Sequence, residues 1–479
     1  MPKRQQTLAI DQGTHASRAL VFDASGQLVA QAQRPVALQR LSADRVEQDA
    51  TEILASVHTV VADVLADDAI GNRVVCSAGL ATQRSSVVAW DRISGEPLSP
   101  VLSWQDRRGA DWLANFAAHA STIRARTGLP LSPHYGASKL RWLLDHVPAV
   151  QQARQQQRLV FGPLSSFLLF HLLREQPLVV DHANAARTQL WNLDSRNWDP
   201  WLLELFGLDA TTLPTCQPIV HSYGTLAAAD IPLTAVNGDQ NAAVYNLGQP
   251  AATTAIVNLG TGAFVLLATG TERVPHPALL NGLIRSGDGG FEYSLEGTVN
   301  GAGAALSWAQ ENWKIEGVTE HLDQWLQRPV EPPLFINTIG GLGSPWWKPG
   351  PTPALVGSGE AVETAGSGKA WQQIVAVAES ILFLLQANLD ELRASGLTVS
   401  DLRVSGGLAS SDALCQRLAD LSGCNVFRPA ATEATARGIA WLAAGSPPGW
   451  SGAAAGQRFS AHSRPDLRER YRRFCRLLA

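Results

Sequence analysis

Two short strand–turn–strand units, about half a chain apart, most constrain how this sequence can fold. The first spans residues 7–22, where two apolar runs flank a Gln-Gly-Thr turn at 12–14. The second spans residues 255–268, where two apolar runs flank a Gly-Thr-Gly turn at 260–262. Short apolar runs separated by glycine-containing turns are typical of antiparallel strands. Because the two turns lie about 250 residues apart, the pattern indicates an internal duplication.

Chain length supports the duplication over its alternative, a coincidence between two common turns. With 479 residues, the chain exceeds what one hydrophobic core organises, so two lobes are expected. Helices predicted at 139–147 and 412–422 alternate with strands such as 402–405, which favours α/β lobes. The apolar segment 159–173 is predicted to be a buried helix, and the basic residues after 452 a weakly ordered tail.

Composition excludes several classes of protein. The chain is 45% hydrophobic and 17% charged, with a net charge of -4, so it lacks the positive surface that nucleic-acid binding requires. No uninterrupted apolar run reaches the ~18 residues of a membrane span. Five cysteines without a C-x-x-C pair indicate a reducing compartment. The N-terminal residues lead into a strand without a signal-peptide pattern, so we expect a cytoplasmic protein with no membrane and no nucleic-acid partner.

The first turn carries groups suited to a phosphate and its metal ion. Gly13 lets the backbone approach a phosphate closely, and Thr14 adds a hydroxyl donor. The carboxylate of Asp11 suits a hard cation such as Mg2+, and Arg18 could reach a phosphate oxygen. The alternative is an ordinary hairpin, because Asp-x-Gly turns are common.

Three further segments extend this pattern. Gly260-Thr-Gly262 is the equivalent turn of the second unit, and Gly406-Gly407 lies between a predicted strand and a predicted helix. Together with the first turn they indicate a phosphate clamp between two lobes. Asp239 follows another predicted strand, where it could accept a proton from an attacking hydroxyl or cap the next helix. The residues alone leave both roles for Asp239 open.

The motifs, in this order, resemble those of the FGGY carbohydrate kinases, and among them the glycerol kinases most. The resemblance covers nearly all of residues 7–445. Its motifs are Asp11-Gln-Gly-Thr with Ser17-Arg18, Thr82-Gln-Arg84, Trp104-Gln-Asp-Arg107, Lys139-Leu-Arg-Trp142, Gly238-Asp-Gln240, Gly260-Thr-Gly262, Leu295-Glu-Gly297, Gly301-Ala-Gly-Ala-Ala305 and Ser405-Gly-Gly407.

The resemblance implies an α/β fold of two duplicated ribonuclease-H-like lobes, the actin/hexokinase/Hsp70 superfold, with a cleft between them. It implies an acceptor-binding lobe over residues 1–248, an ATP-binding lobe over 249–479, and the cofactors ATP and Mg2+. Asp239 is the expected catalytic base, and Asp11 with Asp239 the expected metal site. The residues expected at ATP are Gly13, Thr14, Arg18, Gly260, Thr261, Gly303, Gly407 and Ser411.

The same resemblance implies an acceptor site, and the departures from it bear on the acceptor's identity. The expected acceptor residues are Arg84, Ser85, Trp104, His134, Asp239, Gln240 and Phe264. Ser85 stands where glycerol kinases have a glutamate, and His134 where they have a tyrosine. Loss of the glutamate removes one hydroxyl acceptor and frees volume, which favours a four- or five-carbon polyol or ketose. A lone histidine is often merely structural, and that alternative remains for His134.

The predicted function is therefore ATP-dependent phosphorylation of a hydroxyl group on a small polyol or sugar. The alternatives are a glycerol kinase proper and, from another class, a non-catalytic nucleotide-binding regulatory relative. The expected partner is the small-molecule acceptor, and homodimer formation is left open. Neither the acceptor's identity nor the phosphorylated hydroxyl follows from the fold.

Overall fold

The computed structural model describes residues 5–71, 73–328, 331–357, 362–363, 370–430, 433–451 and 455–478. The first half of the chain contains fifteen strands and nine helices within these ranges. Its strands are β1 Gln5–Gln12, β2 Ala16–Asp23, β3 Leu28–Pro35, β4 Gln39–Arg40, β5 Val46–Gln48, β6 Val74–Thr82, β7 Val87–Asp91, β8 Val101–Leu102, β9 Leu159–Pro163, β10 Val179–Asp181, β11 Trp191–Asn192, β12 Asn197–Trp198, β13 Thr215–Gln217, β14 Val220–Thr225 and β15 Pro232–Gly238. Its helices are α1 Ala50–Leu65, α2 Ala110–Ala114, α3 Ala120–Thr127, α4 Gly136–His146, α5 Pro148–Gln155, α6 Leu164–Leu172, α7 His182–Ala186, α8 Pro200–Phe206 and α9 Asp239–Ala243.

The second half follows the same alternation of strands and helices. Its described strands are β16 Thr254–Leu259, β17 Ala263–Gly270, β18 Leu280–Gly287, β19 Gly290–Val299, β20 Leu334–Ile336, β21 Ala354–Val356, β22 Val362–Glu363, β23 Asp401–Ser405, β24 Asn425–Pro429 and β25 Gly456–Phe459. Its described helices are α10 Gly303–Trp313, α11 Val318–Leu326, α12 Ala370–Ala394, α13 Asp412–Ser422, α14 Ala434–Ala443 and α15 Pro465–Leu478.

Both halves build a central sheet on the same plan, antiparallel strands on one side of a first strand and parallel strands on the other. The first sheet runs β14-β15-β6-β1-β2-β3 and the second runs β18-β19-β17-β16-β23-β24-β25. In the first sheet β1, β2 and β3 pair antiparallel, and in the second β16, β17 and β19 do so, with β18 antiparallel at the edge beyond β19. On the other side of β1 and of β16, two strands add in parallel: β6 and β15 in the first sheet, β23 and β24 in the second. The repeated plan confirms the predicted duplication and the two ribonuclease-H-like lobes.

Both predicted strand–turn–strand units are confirmed: β1 pairs antiparallel with β2, and β16 with β17. Leu8, Ala9 and Ile10 in β1 are completely buried, so both faces of this strand pack against other elements. Helix α1 then begins at an Asp49 cap, whose carboxylate accepts the backbone N–H groups of Thr51 and Glu52. The apolar face of this helix packs into the core of the first lobe.

A third hydrophobic cluster joins the lobes. It combines residues of β1 and β6 with residues of β16, β17 and α14. Helix α14 belongs to the second half of the chain but packs against β1, β6 and β15 of the first sheet, and against α9. Gly438 permits this crossing, because a Cβ atom there would lie 1.8 Å from the carbonyl oxygen of Ala242. The lobes therefore share a core at the base of their cleft.

Two local expectations are wrong. Residues 159–173 form a strand followed by a helix, because a completely buried strand is as uniformly apolar as a buried helix. The C-terminal segment is also ordered: α15 packs on α12, and the buried Arg470 binds the carboxylate of Glu379 with an Nε–Oε2 distance of 3.0 Å.

Helix α12 is long and apolar enough to span a membrane by length and composition. In the structure, however, 83% of its most apolar 18-residue segment is buried inside the protein.

Candidate active site

Three neighbouring parallel strands of the first lobe bring the predicted acidic and basic residues together. Strands β1, β6 and β15 end side by side, with Thr82 paired to Gln12 on one side and Gly238 on the other. Asp11 lies at the end of β1, Arg84 follows β6, and Asp239 follows β15. Because parallel strands end at the same edge of a sheet, residues distant in sequence meet there.

Asp239 occupies the first position of helix α9, with Gly238 as the capping residue. Its Oδ1 accepts the backbone N–H of Gln240 at 2.7 Å and lies 3.8 Å from Nε of Arg84. Burial raises the pKa of Asp239, and the positive charge of Arg84 opposes that rise. In the part of the chain that the structure describes, Oδ2 of Asp239 has no hydrogen-bond partner. One carboxylate oxygen is thus held while the other is left for a ligand.

Asp11 is the second carboxylate at this edge and, unlike the half-buried Asp239, it is buried. Burial, with a further contribution from the negative charge of Asp239, raises the pKa of Asp11 to about 7. Arg18 opposes the rise from 3.7 Å, measured from its Nη1 to Oδ2 of Asp11. The tight turn after Asp11 is closed by a 2.9 Å hydrogen bond from the backbone N–H of Gly13 to the carbonyl of Ala16.

The turn also contacts groups outside β1 and β2. Thr14 Oγ1 accepts a 2.9 Å hydrogen bond from Nε1 of Trp104, and Arg18 Nε lies 3.9 Å from Oε2 of Glu433 in the second half of the chain. Trp104 in turn packs edge-on against His134, with ring centroids 5.8 Å apart. Burial and the nearby charge of Lys139 hold the pKa of His134 well below its usual value, so its imidazole is neutral at pH 7.

Arg84 is bound from the opposite lobe. Its guanidinium donates to both carboxylate oxygens of Glu296 in β19, at 3.0 and 3.2 Å, and to Oδ1 of Asn241 at 2.8 Å. Arg187 donates to the same carboxylate. Burial alone raises the pKa of Glu296, but Arg187 and Arg84 outweigh burial and hold that pKa below its ordinary value. The orientation of Arg84 is therefore set by both lobes.

The second lobe contains an open pocket of about 600 Å³. One wall is built from loops that bind one another: the backbone N–H of Gly303 donates to the carbonyl of Gly260 at 2.9 Å, and that of Ala304 donates to the carbonyl of Thr261 at 2.9 Å. A Cβ on Gly303 would lie 2.9 Å from the Gly260 oxygen, so glycine is required for this contact. The lining includes the predicted residues Gly260, Thr261, Gly303, Gly407 and Ser411.

Three further residues predicted to contact the acceptor are Ser85, Phe264 and Gln240. Ser85 adopts φ 65°, the left-handed region that non-glycine residues rarely occupy. It is buried, and its Oγ has no hydrogen-bond partner among the described residues. Phe264 lies in the hydrophobic cluster between the lobes, with 7% of its surface exposed. Gln240 is half-buried beside Asp239.

Sequence reasoning assigned no role to several residues of this site. Glu296 and Lys139 lie within two of the family motifs, Leu295-Glu-Gly297 and Lys139-Leu-Arg-Trp142. A motif does not reveal which residue on a distant strand or helix its side chains will bind. Asp323 is also at the pocket, where its carboxylate accepts the hydroxyl of Ser411 and the backbone N–H of Ala413. The sequence around Asp323 gives no indication of this role, because α11 has the pattern of an ordinary amphipathic helix.

The residues that could hold a metal ion are few. No group of three or more His, Cys, Asp and Glu side chains with metal-binding geometry occurs in the described ranges. Asp11 and Asp239 form a carboxylate pair instead. Mg2+ is commonly held by one or two carboxylates together with phosphate oxygens, so this pair fits a magnesium ion that arrives with a nucleotide.

Comparisons with known proteins identify the family of the chain. Residues 6–244 match the N-terminal domain of the FGGY family of carbohydrate kinases, and residues 255–446 match its C-terminal domain. The chain is 35% identical to a glycerol kinase of Geobacter sp. (strain M21) over 449 residues, which cover 91% of this chain and 89% of that protein. It is 36% identical to a glycerol kinase of Alkalilimnicola ehrlichii over 451 residues, covering 92% and 90% of the two chains.

Solved structures show the same fold at lower identity. Plasmodium falciparum glycerol kinase with ADP superposes with a TM-score of 0.88 at 22% identity, covering 99% of this chain and 97% of that one. Xylulose kinase from Rhodospirillum rubrum superposes with a TM-score of 0.83 at 21% identity, covering 98% and 97%. Because both family domains match and together span most of the chain, this chain belongs to the FGGY family of carbohydrate kinases, phosphotransferases that act on an alcohol group.

Proposed function

We propose that this kinase transfers the γ-phosphoryl group of ATP to a hydroxyl of a small polyol or sugar, with Asp239 as the catalytic base. The observation that carries the proposal is the pair of carboxylates at one sheet edge facing the cleft, the buried Asp11 and the half-buried Asp239. They are close enough for the charge of Asp239 to contribute to the raised pKa of Asp11. A base is most effective when its pKa approaches the working pH, and burial raises the pKa of Asp239 in that direction.

The geometry at Asp239 supports its role as base. Gln240 and Arg84 hold Oδ1, which leaves Oδ2 to accept the proton of an acceptor hydroxyl. Arg84 can bind a neighbouring hydroxyl while Glu296 fixes its guanidinium plane. Holding two hydroxyls of a polyol in this way orients one of them for in-line attack on the phosphorus atom.

Asp11 and Asp239 would hold Mg2+ together with phosphate oxygens. Mg2+ held there would offset the negative charge of the transferring phosphoryl group. Asp11 would be ionised at neutral pH beside such a cation, because a nearby positive charge lowers the pKa of a carboxyl group. Arg18 lies beside Asp11 and can bind a phosphate oxygen from the first lobe.

ATP would occupy the 600 Å³ pocket of the second lobe, with its phosphates directed toward the turn of the first lobe. The loops around Gly260 and Gly303 have little side-chain bulk, so a phosphate could approach their backbone closely. Backbone N–H groups of glycine-containing turns commonly bind phosphates in this way. This assignment divides the chain into an acceptor-binding lobe at 1–248 and an ATP-binding lobe at 249–479. The proposed ATP contacts are Gly13, Thr14, Arg18, Gly260, Thr261, Gly303, Gly407 and Ser411.

The acceptor would lie between the charged edge and the aromatic pair formed by Trp104 and His134. Trp104 offers an apolar face to carbon-bound hydrogens, and the neutral imidazole of His134 offers a hydrogen bond. Ser85 is smaller than a glutamate and carries an unpaired hydroxyl, which supports a four- or five-carbon polyol or ketose. The proposed acceptor contacts are Arg84, Ser85, Trp104, His134, Asp239, Gln240 and Phe264.

A second candidate is a glycerol kinase proper. It is favoured by relatives that are 35–36% identical over nearly the whole chain and are themselves glycerol kinases. A non-catalytic regulatory relative is disfavoured, since Asp11, Asp239 and Thr261 are all present at the cleft.

The decisive experiment is ADP release with Mg-ATP across glycerol, four- and five-carbon polyols and ketoses. We expect turnover that depends on the acceptor and is highest with a four- or five-carbon compound. Highest turnover with glycerol would favour the second candidate. No acceptor-dependent turnover with any compound would overturn the assignment as an active kinase of this acceptor class.

A further inference from the structure

Lys139 is a completely buried lysine whose ammonium group binds backbone rather than a carboxylate. It lies in α4, has no exposed surface, and donates from Nζ to the carbonyl of Ser85 at 2.9 Å and to the carbonyl of His134 at 2.8 Å. Burial lowers the pKa of Lys139 to about 7, because the nearby carboxylate of Asp106 only partly offsets it. Asp106 is itself bound to Arg108 at 2.7 Å. Burying a charged amine costs free energy, and hydrogen bonds such as these two only partly compensate for the lost hydration.

The two carbonyls belong to segments that carry proposed acceptor contacts. Ser85 follows Arg84 directly, and its φ of 65° is a strained conformation for a residue with a side chain. Ser86, on its other side, accepts the backbone N–H of Trp104 at 3.0 Å. A shift of the Ser85 peptide would therefore move both the guanidinium of Arg84 and the support of Trp104.

The second carbonyl fixes the opposite aromatic wall. His134 precedes α4, and its ring packs on Trp104 and on Tyr135. Lys139 lies about one helical turn after His134. Its amine therefore binds one carbonyl in the segment before α4 and one in the segment after β6. An apolar side chain of equal length would fill the same space but would leave both carbonyls without this donor.

We propose that Lys139 is a positioning residue for acceptor binding, which holds the Ser85 and His134 segments at a set separation. This inference rests on the proposed function, because it assigns Lys139 to the acceptor half of the same site. The nucleotide pocket is built from residues 259–411 of the other lobe, so its geometry does not depend on this amine. Loss of Lys139 should consequently weaken acceptor binding and leave ATP binding unchanged.

The test compares Lys139→Met, Lys139→Arg and the control Lys314→Met, which makes the same exchange at an exposed position of the second lobe. Each protein is assayed for acceptor KM, ATP KM and kcat with the best acceptor, after thermal unfolding has shown whether it folds. We expect Lys139→Met to raise the acceptor KM at least about tenfold with ATP KM changed less than about twofold. Lys139→Arg, which can still donate to both carbonyls, should show a smaller rise, and Lys314→Met none.

Several results would overturn the inference. One is an unchanged acceptor KM in Lys139→Met, and another is an equal rise of both KM values. A Lys139→Met protein that fails to fold, while Lys139→Arg folds with ordinary KM values, would make Lys139 a purely structural residue, as would failure of both to fold. A wild-type protein without acceptor-dependent turnover would overturn the proposed function itself, and is thereby distinguished from these outcomes.

Discussion

Arg84 of the first lobe and Glu296 of the second form a buried, two-point ion pair across the cleft, with N–O distances of 3.0 and 3.2 Å. The same carboxylate also binds Arg187. One anion thus compensates two buried cations, and it sets the orientation of Arg84 beside Asp239. If Arg84 binds the acceptor as proposed, this pair links acceptor binding to the arrangement of the lobes.

The first prediction concerns Glu296→Gln, which keeps the shape of the side chain and removes its charge. Two guanidinium groups are then buried without their anion, so the free energy of unfolding should fall by about 3–5 kcal/mol. Acceptor KM should rise more than ATP KM, because Arg84 is no longer oriented. Denaturant unfolding and steady-state kinetics measure both effects.

Glu292→Gln is the matched control on the same strand. Glu292 is only half-buried and accepts hydrogen bonds from Tyr245 and Gln249, which a glutamine can partly replace. Equal losses in the two variants would contradict a special role for Glu296.

The second prediction concerns Asp239→Asn. The amide cannot accept the hydroxyl proton, so kcat should fall about 10²–10⁴-fold, while the thermal midpoint stays near that of the wild type. ADP release with the best acceptor is the measurement. Asp230→Asn, an exposed position paired with Arg174, should retain full activity. Near wild-type turnover in Asp239→Asn would refute the assignment of the base.

The third prediction follows from the raised pKa of Asp11. In the folded protein this carboxyl has a pKa of about 7, against 3.8 as its ordinary value. The folded state therefore holds an additional proton between these values, so the contribution of Asp11 to stability falls as pH rises from about 4 to about 7. Asp11→Asn should remove this dependence and raise the thermal midpoint at pH 8 by at least about 2 °C.

Magnesium provides the complementary measurement for Asp11. Mg-nucleotide should raise the thermal midpoint of the wild type more at pH 8 than at pH 5, since the ion requires the ionised carboxylate. Asp11→Asn should lose most of that increase. The same increase in both proteins would show that Asp11 does not contribute to the metal site.

The fourth prediction concerns acceptor choice. Ser85→Glu places a carboxylate in the position that glycerol kinases use to bind a hydroxyl, and it reduces the free volume. The ratio of kcat/KM for glycerol to that for a five-carbon acceptor should therefore rise. Ser85→Gln, with the same bulk and no charge, separates volume from charge. An unchanged ratio in both variants would exclude Ser85 from the acceptor site.

The fifth prediction concerns the nucleotide pocket. Gly303→Ala forces a Cβ atom to within 2.9 Å of the carbonyl oxygen of Gly260, so the two loops must separate. ATP KM should rise at least about tenfold with acceptor KM little changed. The control is Gly449→Ala, where a Cβ atom would have no neighbour within 4 Å. An unaffected ATP KM in Gly303→Ala would count against phosphate binding at these loops.

Much of the fold was predictable, because the decisive signals are local. Tight turns at Gly13 and Gly262 between apolar runs predict strand pairs whatever the rest of the chain does. Helix α13 was predicted with its observed bounds, since Ser411 caps its start and Gly423 ends it in the left-handed conformation. The error at 159–173 has the opposite cause: uniform burial erases the periodicity that distinguishes a strand from a helix.

The C-terminal helix was missed for a related reason. Its arginines suggested a solvated tail, yet Arg470 is buried against Glu379, an acidic residue inside the apolar helix α12. Nothing near either residue in sequence reveals this pair. A charged segment becomes ordered only when its partner is brought to it by the fold.

The sequence by itself determined two duplicated α/β lobes, a glycine-containing turn between the first two strands of each, and the family of carbohydrate kinases to which the motifs belong. Local turn chemistry and hydrophobic periodicity suffice for that, because they act between near neighbours in the chain. Only the tertiary structure decided that Glu296 orients Arg84, that Lys139 joins the Ser85 and His134 segments, and that the charge of Asp239 adds to the raised pKa of Asp11. These relationships depend on distances between residues far apart in sequence, which parallel strands and lobe packing alone establish.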